Sequence, residues 1–410
     1  MLIYVDGIIV TGTHLEFINS LISRLQLEFP LKDLGPLSFF LGIQATRTEH
    51  DLHLCQVKYI ADLLTRVHII GAKAAKSPCS SSSKLSRYDG ESLLDPTEYH
   101  HLFGSLQCCT VTRPEISFAV NQLCQHLHSP TSTHWTYAKR VLQYLKGIVD
   151  YGLLYTKGDL QLSAFCDSDW VGDPDDRHST VGFAIFLGNS LVSWSAKKQA
   201  VISRSSTESE YRSLALTAAT LFWLRMLFKE LQVPLPSIPI LRCDNVSALA
   251  LASNPVFHAR TKHIEVDYHF VRKKVLNRDI SVKFISTIDK VADIFTKALS
   301  FTRFAHLTSK LMVIPPPISL QGAVRITDMD SDMAKDNAKP LSKDHHVSAQ
   351  NSNADMNSNM AKDNAKPLSK DHVAAQISNK DHDATQNSNV PIVITLSVWL
   401  YFILSSSASI

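Results

Sequence analysis

The sequence predicts an α/β protein whose main part is a mixed β-sheet with flanking helices, and three observations carry that reading. Between about residues 150 and 315, β-rich runs and helix-period segments follow one another as strands, a long helix, a strand, helices, a last strand and a helix. That order gives a mixed sheet with helices packed on its faces. Apolar residues make up 45% of the 410-residue chain and charged residues 19%, enough to fill real cores. After Pro315-Pro316-Pro317 the composition changes to Asn, Asp, Lys, Ser and Ala, which ends the core-forming sequence.

Residues 1–76 read as one mixed unit. Ile3–Val10 is a β-rich run broken by Asp6-Gly7, a pair with hairpin chemistry. Leu15–Phe29 has apolar residues at helical spacing and stops at Pro30. Leu37–Ala45 reads as a strand and Lys58–Val67 as a helix. Residues 77–94, with SPCSSSSKLSRYDGES, form a serine-rich linker. The segment 95–150 is helical, with helices at Tyr99–Thr110, at Ile116–His126 after Arg113-Pro114, and at His134–Lys146 before Gly147. Residues 151–315 make the last folded unit. Strands are expected at Gly152–Tyr155, Leu160–Cys166, Val181–Leu187 and Leu191–Trp194, then a long helix from Thr207 to Leu231. Strand Ile238–Cys243, helices Ser247–Ala252 and Val266–Val275, strand Ser281–Ser286 and helix Val291–Leu299 complete it.

The string MAKDNAKPLSKDH occurs at 333–345 and again at 360–372, with a degraded echo at Asn379–Asn389. No apolar stripe accompanies these copies, so residues 316–389 are expected to be a disordered tail rather than a solenoid. The apolar tail 390–410 contains Val390–Leu404, 15 residues long. A spanning helix needs roughly 20, so a membrane attachment has only weak support. A formal net charge of +3 does not by itself imply a nucleic-acid partner. Seven scattered cysteines without a CxxC pair argue against a zinc site or a disulfide framework and fit a reducing compartment. Met1 leads straight into the strand MLIYV without a basic segment, so no secretory signal is expected, and the chain reads as truncated.

Four acidic residues fall where strands end or helices begin. Asp167 ends the strand LSAFC, Glu210 opens the long helix, Asp244 ends IPILRC and Asp293 opens the last helix. Hard divalent cations such as Mg²⁺ take oxygen ligands and share them with phosphates. Two such ions held by carboxylates suit in-line phosphodiester hydrolysis. Each residue also has a purely structural reading. Thr207-x-x-Glu210 fits a capping box, Asp244-Asn245 fits a helix cap, and Asp293 suits a first helical turn. Asp167 fits a turn, with Asp169 competing for its role. A basic rim surrounds these positions: Lys197, Lys198 and Arg204 precede the long helix, while Arg260, Lys262, His263 and Arg272–Lys274 follow the strand ending in Cys243. Asn245 adds an uncharged donor.

The strings CDSDWVGDPDDRHSTVGF (166–183), SWSAKKQAVISRSSTESEYRSLA (193–215), LRCDNVSALALASNPVFHARTKHIEVDYHFVR (241–272) and VADIFTKAL (291–299) resemble the ribonuclease H of copia-type retrotransposon Pol polyproteins. The resemblance implies a ribonuclease H-like mixed five-stranded sheet. It also implies Asp167, Glu210, Asp244 and Asp293 as catalytic and metal-binding residues, with Glu208 and Asp267 left open as alternatives to Glu210 and Asp293. Two Mg²⁺ ions, replaceable by Mn²⁺, would serve the site, with an RNA/DNA hybrid as substrate and no small-molecule cofactor. Cytoplasmic location in a virus-like particle follows from the same likeness.

Residues 1–150 resemble the end of the reverse transcriptase of the same elements, in LIYVDGIIVTG (2–12), LKDLGPLSFFLGI (31–43), QVKYIADLL (56–64), GSLQCCTVTRPEISFAV (104–120) and AKRVLQYLKG (138–147). They read as a partial palm followed by a thumb or connection segment. The family pattern Tyr-Val-Asp-Asp appears here as Tyr4-Val5-Asp6-Gly7. Asp6 is the remnant of that metal site, glycine has no side chain to complete it, and polymerase activity is expected to be absent. The competing reading is a catalytically dead nucleic-acid-binding remnant.

Overall fold

The computed structural model describes residues 2–4, 7–12, 14–81, 84–253 and 264–316. The chain opens on a hairpin of β1 (Leu2–Tyr4) and β2 (Gly7–Ile9), with Tyr4 opposite Gly7. Helix α1 (Leu15–Glu28) follows and buries none of its residues; Phe17 and Leu27 stand out in solvent. Then come β3 (Phe39–Phe40), β4 (Ile43–Arg47), β5 (Asp51–Cys55) and α2 (Val57–Arg66). Helices α3 (Thr97–Cys109), α4 (Ser117–Cys124) and α5 (Ser132–Gly147) form the middle of the chain. Strands β6 (Gly152–Thr156), β7 (Leu162–Asp169), β8 (Thr180–Leu187) and β9 (Ser190–Lys198) precede α6 (Ser206–Glu230). The rest is β10 (Ile240–Cys243), α7 (Val246–Ser253), α8 (Glu265–Leu276), β11 (Ser281–Phe284), α9 (Phe301–Lys310) and β12 (Val313–Ile314). The expected tail at 316–389 lies outside the described residues from 317 on, as does the apolar stretch 390–410. Among the described residues, no helix is long and apolar enough to cross a membrane.

The principal sheet has the order β11-β10-β7-β8-β9, with β7, β8 and β9 antiparallel and β10 and β11 parallel to β7. This is the mixed five-stranded sheet with flanking helices that the sequence predicts. Every residue of β8 is buried, because α6 covers one face and α4 with a 3₁₀ turn at Val291–Phe295 lies against the other side of the β8–β9 region. A strand covered on both faces needs a continuous apolar run, and TVGFAIFL supplies one. On α6, Tyr211, Leu214, Ala215, Ala218, Leu221, Leu224 and Phe228 are buried at steps of three and four, one stripe against the sheet.

A second, wholly antiparallel sheet has the order β12-β6-β5-β4-β3. It corrects one expectation: Gly152–Tyr155 pairs not with the principal sheet but with β5 on one side and β12 on the other. Leu52 stands opposite Tyr155 and Leu54 opposite Leu153, all four buried, so the apolar rows of two distant segments cover each other. Gly152 makes the crossing feasible, since a Cβ there would lie 2.1 Å from the Leu54 carbonyl oxygen. The His53 ring reaches the Ile314 carbonyl at 3.0 Å and ties the third segment in.

Two further differences have local causes. The serine-rich segment is an anchored strap rather than a loose linker. Ser77, Cys79 and Leu85 are buried, and Ser86 Oγ and the Arg87 amide donate to Asp175 at 2.5 and 2.8 Å. The expected last helix at Val291–Leu299 is a 3₁₀ turn ending at Phe295, and α9, which was not expected, starts only at Phe301. The turn packs against Gly182 of β8, where a Cβ would meet Thr296 Cγ2 at 2.6 Å and Phe295 Cβ at 2.7 Å.

The helical layer holds a fully buried ion pair. Arg113 Nη2 lies 2.7 Å from Glu115 Oε1, Arg113 Nη1 donates to the Ile148 carbonyl at 2.9 Å, and the Tyr144 hydroxyl donates to Glu115 at 3.3 Å. Removing one partner leaves the other charge buried, which costs about 3–5 kcal/mol. Arg113→Met should therefore lower the urea midpoint sharply, and adding Glu115→Leu should restore most of it; an unchanged midpoint in the single variant would refute this account. Nearby, His126 stacks on His134 at 3.9 Å. Burial, with His134 beside it, pushes His126 down to about 4 from the usual 6.5, against the pull of Asp175 and Asp173. Between those pH values the unfolded chain takes the proton and the folded chain does not. This group's contribution to stability is thus complete above about pH 6.5 and is lost as the pH falls toward 4. The loss measured between pH 7 and 5 should shrink in His126→Leu, and an equal loss in both proteins would rule His126 out as the cause.

Candidate functional site

The four carboxylates converge because each sits on a different rigid element at one end of the principal sheet. Asp167 lies on β7, opposite Gly182 of β8, and is fully buried. The strand beside it, β10, ends at Cys243 and delivers Asp244. Glu210 is in the first turns of α6, buried beneath the apolar stripe. Asp293 is in the 3₁₀ turn that Gly182 admits. Crevices at the carboxyl ends of parallel strands are common ligand sites in α/β sheets.

One cation already stands at their centre. The Lys290 ammonium is 2.7 Å from Asp244 Oδ1, 3.6 Å from Glu210 Oε1 and 3.7 Å from Asp293 Oδ1, and it donates to Asp167 Oδ1. Its side chain is 1% exposed. Lys297 is also close, 3.1 Å from Asp167 and 3.0 Å from Asp293, and Thr296 Oγ1 donates to Asp167. Arg303 donates to Asp293 at 2.5 Å, and the Thr287 hydroxyl donates to Asp244 at 3.1 Å.

This arrangement divides the acids. Burial alone would raise Asp167, but Lys290 and Lys297 outweigh it and hold the carboxyl down at about 2. Burial and the nearby Asp167 charge push Glu210 up to about 9, against Lys290. Asp169, half-buried two residues along β7, is raised to about 7 by desolvation, in spite of a hydrogen bond from the Thr180 amide. Lys290 is raised because its acidic neighbours overcome the cost of burial. Acids packed this closely do not all ionise at neutral pH without added positive charge.

The donor set fits a hard divalent ion. Ligand atoms of Glu210, Cys243 and Asp244 lie within 4.8 Å of one another, and Asp167 and Asp293 share the same cation position. Carboxylate oxygens are the donors that Mg²⁺ and Mn²⁺ take, and the seated ammonium shows that the position accepts positive charge.

The paired alternatives lie in different places. Glu208, not Glu210, belongs to the helix start. Its amide donates to Ser205 Oγ at 3.2 Å, its carboxylate accepts from the Arg204 amide at 3.0 Å, and it pairs with Arg212 at 3.0 Å. The capping arrangement expected at Thr207 and Glu210 is therefore displaced by two residues, which leaves Glu210 facing the cluster. Asp267 lies half-buried on α8, where burial raises it and Arg212 opposes the rise, while Asp293 joins the cluster. Asn245 does cap a helix, its Oδ1 accepting the Ala248 amide at 2.9 Å.

Of the expected basic rim, Lys197 and Lys198 end β9, and Lys198 pairs with Asp173 and Asp176 at 2.7 and 2.6 Å. Arg204 lies just before α6. Arg260, Lys262 and His263 lie outside the described residues, as does Asp6. Sequence reading overlooked Lys290, Lys297 and Arg303. Lys290 and Lys297 stand three before and four after Asp293, spacings that place side chains together on a helical turn. A surface hollow of about 630 Å³ lined by Phe222, Arg225, Lys229 and Asp279 lies near the far end of α6, well away from the carboxylates.

Residues 1–81 match the reverse transcriptase (RNA-dependent DNA polymerase) family. The retrovirus-related Pol polyprotein from transposon RE2 of Arabidopsis thaliana is 45% identical over 327 residues, 80% of this chain and 22% of that protein. This chain thus spans only a minor part of that relative's length. The uncharacterized mitochondrial protein AtMg00810 of Arabidopsis thaliana is 44% identical over 228 residues, 54% of this chain and 93% of that protein. A solved structure, the LC11 ribonuclease H1 isolated from compost, covers 33% of this chain and 93% of its own at 13% identity and a TM-score of 0.26, too low to add to what the strand order shows. By its sequence relatives, the chain belongs to the family of copia-type retrotransposon Pol polyproteins.

Proposed function

We propose that this chain hydrolyses the RNA strand of RNA/DNA hybrids at the carboxylate centre of its principal sheet. The observation that carries the reading is the convergence of Asp167, Glu210, Asp244 and Asp293, from four separate elements, on one cation position. These four residues would hold two Mg²⁺ ions, or Mn²⁺ in their place. When bound, such ions supply activation of water and stabilisation of the leaving oxygen in an in-line displacement.

The chain's own residues do the rest. β7 and β10 fix Asp167 and Asp244 by their hydrogen-bonded register, and Ser213 of α6 donates to the Asp167 carbonyl at 2.7 Å, locking helix to strand. Arg303 and Lys297 orient Asp293. Lys197, Lys198 and Arg204, with Asn245, Arg260, Lys262 and His263, are the residues assigned to the nucleic acid. Contacts to phosphate position a duplex, and contacts to the 2′-hydroxyl distinguish RNA from DNA. Hydrolysis breaks the P–O3′ bond and leaves a 5′-phosphate and a 3′-hydroxyl.

The full chain incubated with a labelled RNA/DNA hybrid in Mg²⁺, then in Mn²⁺, should cut the RNA strand. Asp167→Asn and Asp244→Asn should each lower the rate by more than roughly 100-fold, beyond the effect of outer-sphere changes. No cleavage by folded protein that still binds the hybrid would establish the alternative, a catalytically dead binding remnant. At residues 4–7 the sequence Tyr-Val-Asp-Gly offers one carboxylate where two are needed, so we assign no polymerase activity to this chain. A primed template should show no incorporation, and templated extension above background would overturn that assignment.

A further inference from the structure

We propose that Lys290 is a built-in competitor for the divalent metal, so that an ion enters the carboxylate centre only by expelling the Lys290 ammonium. The inference rests on the metal-site reading above and adds to it a residue that guards the site. Lys290 Nζ touches Asp167 and Asp244 together, one inside β7 near its carboxyl end and the other just past the end of the adjacent parallel strand β10. Lys297, by contrast, pairs with Asp167 and Asp293 but not with Glu210 or Asp244 and is 39% exposed, and Arg303 reaches only Asp293 of the four. Lys290 alone among these cations occupies the point between Asp167, Glu210 and Asp244.

An Mg²⁺ ion binds carboxylate oxygens at about 2.0–2.1 Å. An ion shared by Asp167 and Asp244 would therefore overlap an ammonium lying 2.7 Å from Asp244. The two cations exclude each other by volume and by charge. The fold also gives the lysine somewhere to go. Ser286–Asp289, immediately before it, are all exposed, with Ile288 at 71%, and the lysine stem has four rotatable carbons. With the metal absent, the same ammonium offsets charges that would otherwise repel one another in a buried site.

The test uses the full chain and reads binding rather than cleavage. Titration calorimetry with Mn²⁺ should show Lys290→Gln binding its first ion at least tenfold more tightly than the unaltered chain, with Lys290→Arg remaining weak. In chelator, Lys290→Gln should melt lower than the unaltered chain and recover on adding Mn²⁺. A second measurement needs no variant: acylation of Lys290, followed by peptide mass spectrometry, should rise several-fold when the unaltered chain is saturated with Mg²⁺. Equal Mn²⁺ affinity in the unaltered chain and Lys290→Gln, or Lys290 acylation unmoved by an Mg²⁺ concentration at which binding is measured, would overturn the competition while leaving the metal site intact. Absence of Mn²⁺ binding by every folded form would overturn both.

Discussion

A carboxylate with no solvent exposure, Asp167 in the middle strand of the principal sheet, sets the terms for everything around it. A lone buried charge of that kind is far too costly to keep. Its ionised form survives because two lysines and a threonine from one short segment, 290–297, reach it together. That segment reaches it only because β8 has a glycine, Gly182, at the position facing Asp167. The 3₁₀ turn, the Asp293 side chain and the start of α9 are therefore arranged by the needs of one oxygen pair.

Much of this was legible in the residues. The strand and helix order of the principal sheet follows from alternating and helical periods, and the four acids were marked by their places at element ends. The sequence leaves Glu208 open beside Glu210, and the folded chain places Glu208 at the helix start and Glu210 beside the other acids. What stayed hidden depends on contacts between distant segments. The run GLLYT has the period of a strand, but nothing local says which sheet receives it. Its partners, Leu52 and Leu54, lie about a hundred residues earlier. The turn at Val291–Phe295 has the apolar spacing of an α-helix, and only its packing against Gly182 tightens it. Lysines near a carboxylate cluster read as a solvated or substrate-facing rim, and only the folded chain shows one of them buried among the acids.

The helical layer illustrates a different balance. Arg113 and Glu115 are spaced too closely to announce themselves as a core feature, yet both are fully buried, with Tyr144 bonded to the carboxylate and the Ile148 carbonyl to the guanidinium. A buried pair of this type contributes little net stability but strongly penalises the loss of one member. It fixes the 3₁₀ turn at Pro114–Ile116 against the end of α5. The serine-rich strap is held in a similar way, with Asp175 in the β7–β8 connection accepting from Ser86 and Arg87.

The second sheet draws its strands from residues 39–55, 152–156 and 313–314. Sequence likeness assigns the first of these stretches to a reverse transcriptase, but the backbone hydrogen bonds carry it into one sheet with the other two. A cut anywhere between Cys55 and Gly152 would strip β6 of one neighbour and open its apolar row to solvent and to foreign strand edges. The two parts are therefore poor candidates for exchange as modules: recombination inside that interval would join a β5 of one ancestry to a β6 of another. Leu52, Leu54, Gly152, Leu153 and Tyr155 would then have to match across the join.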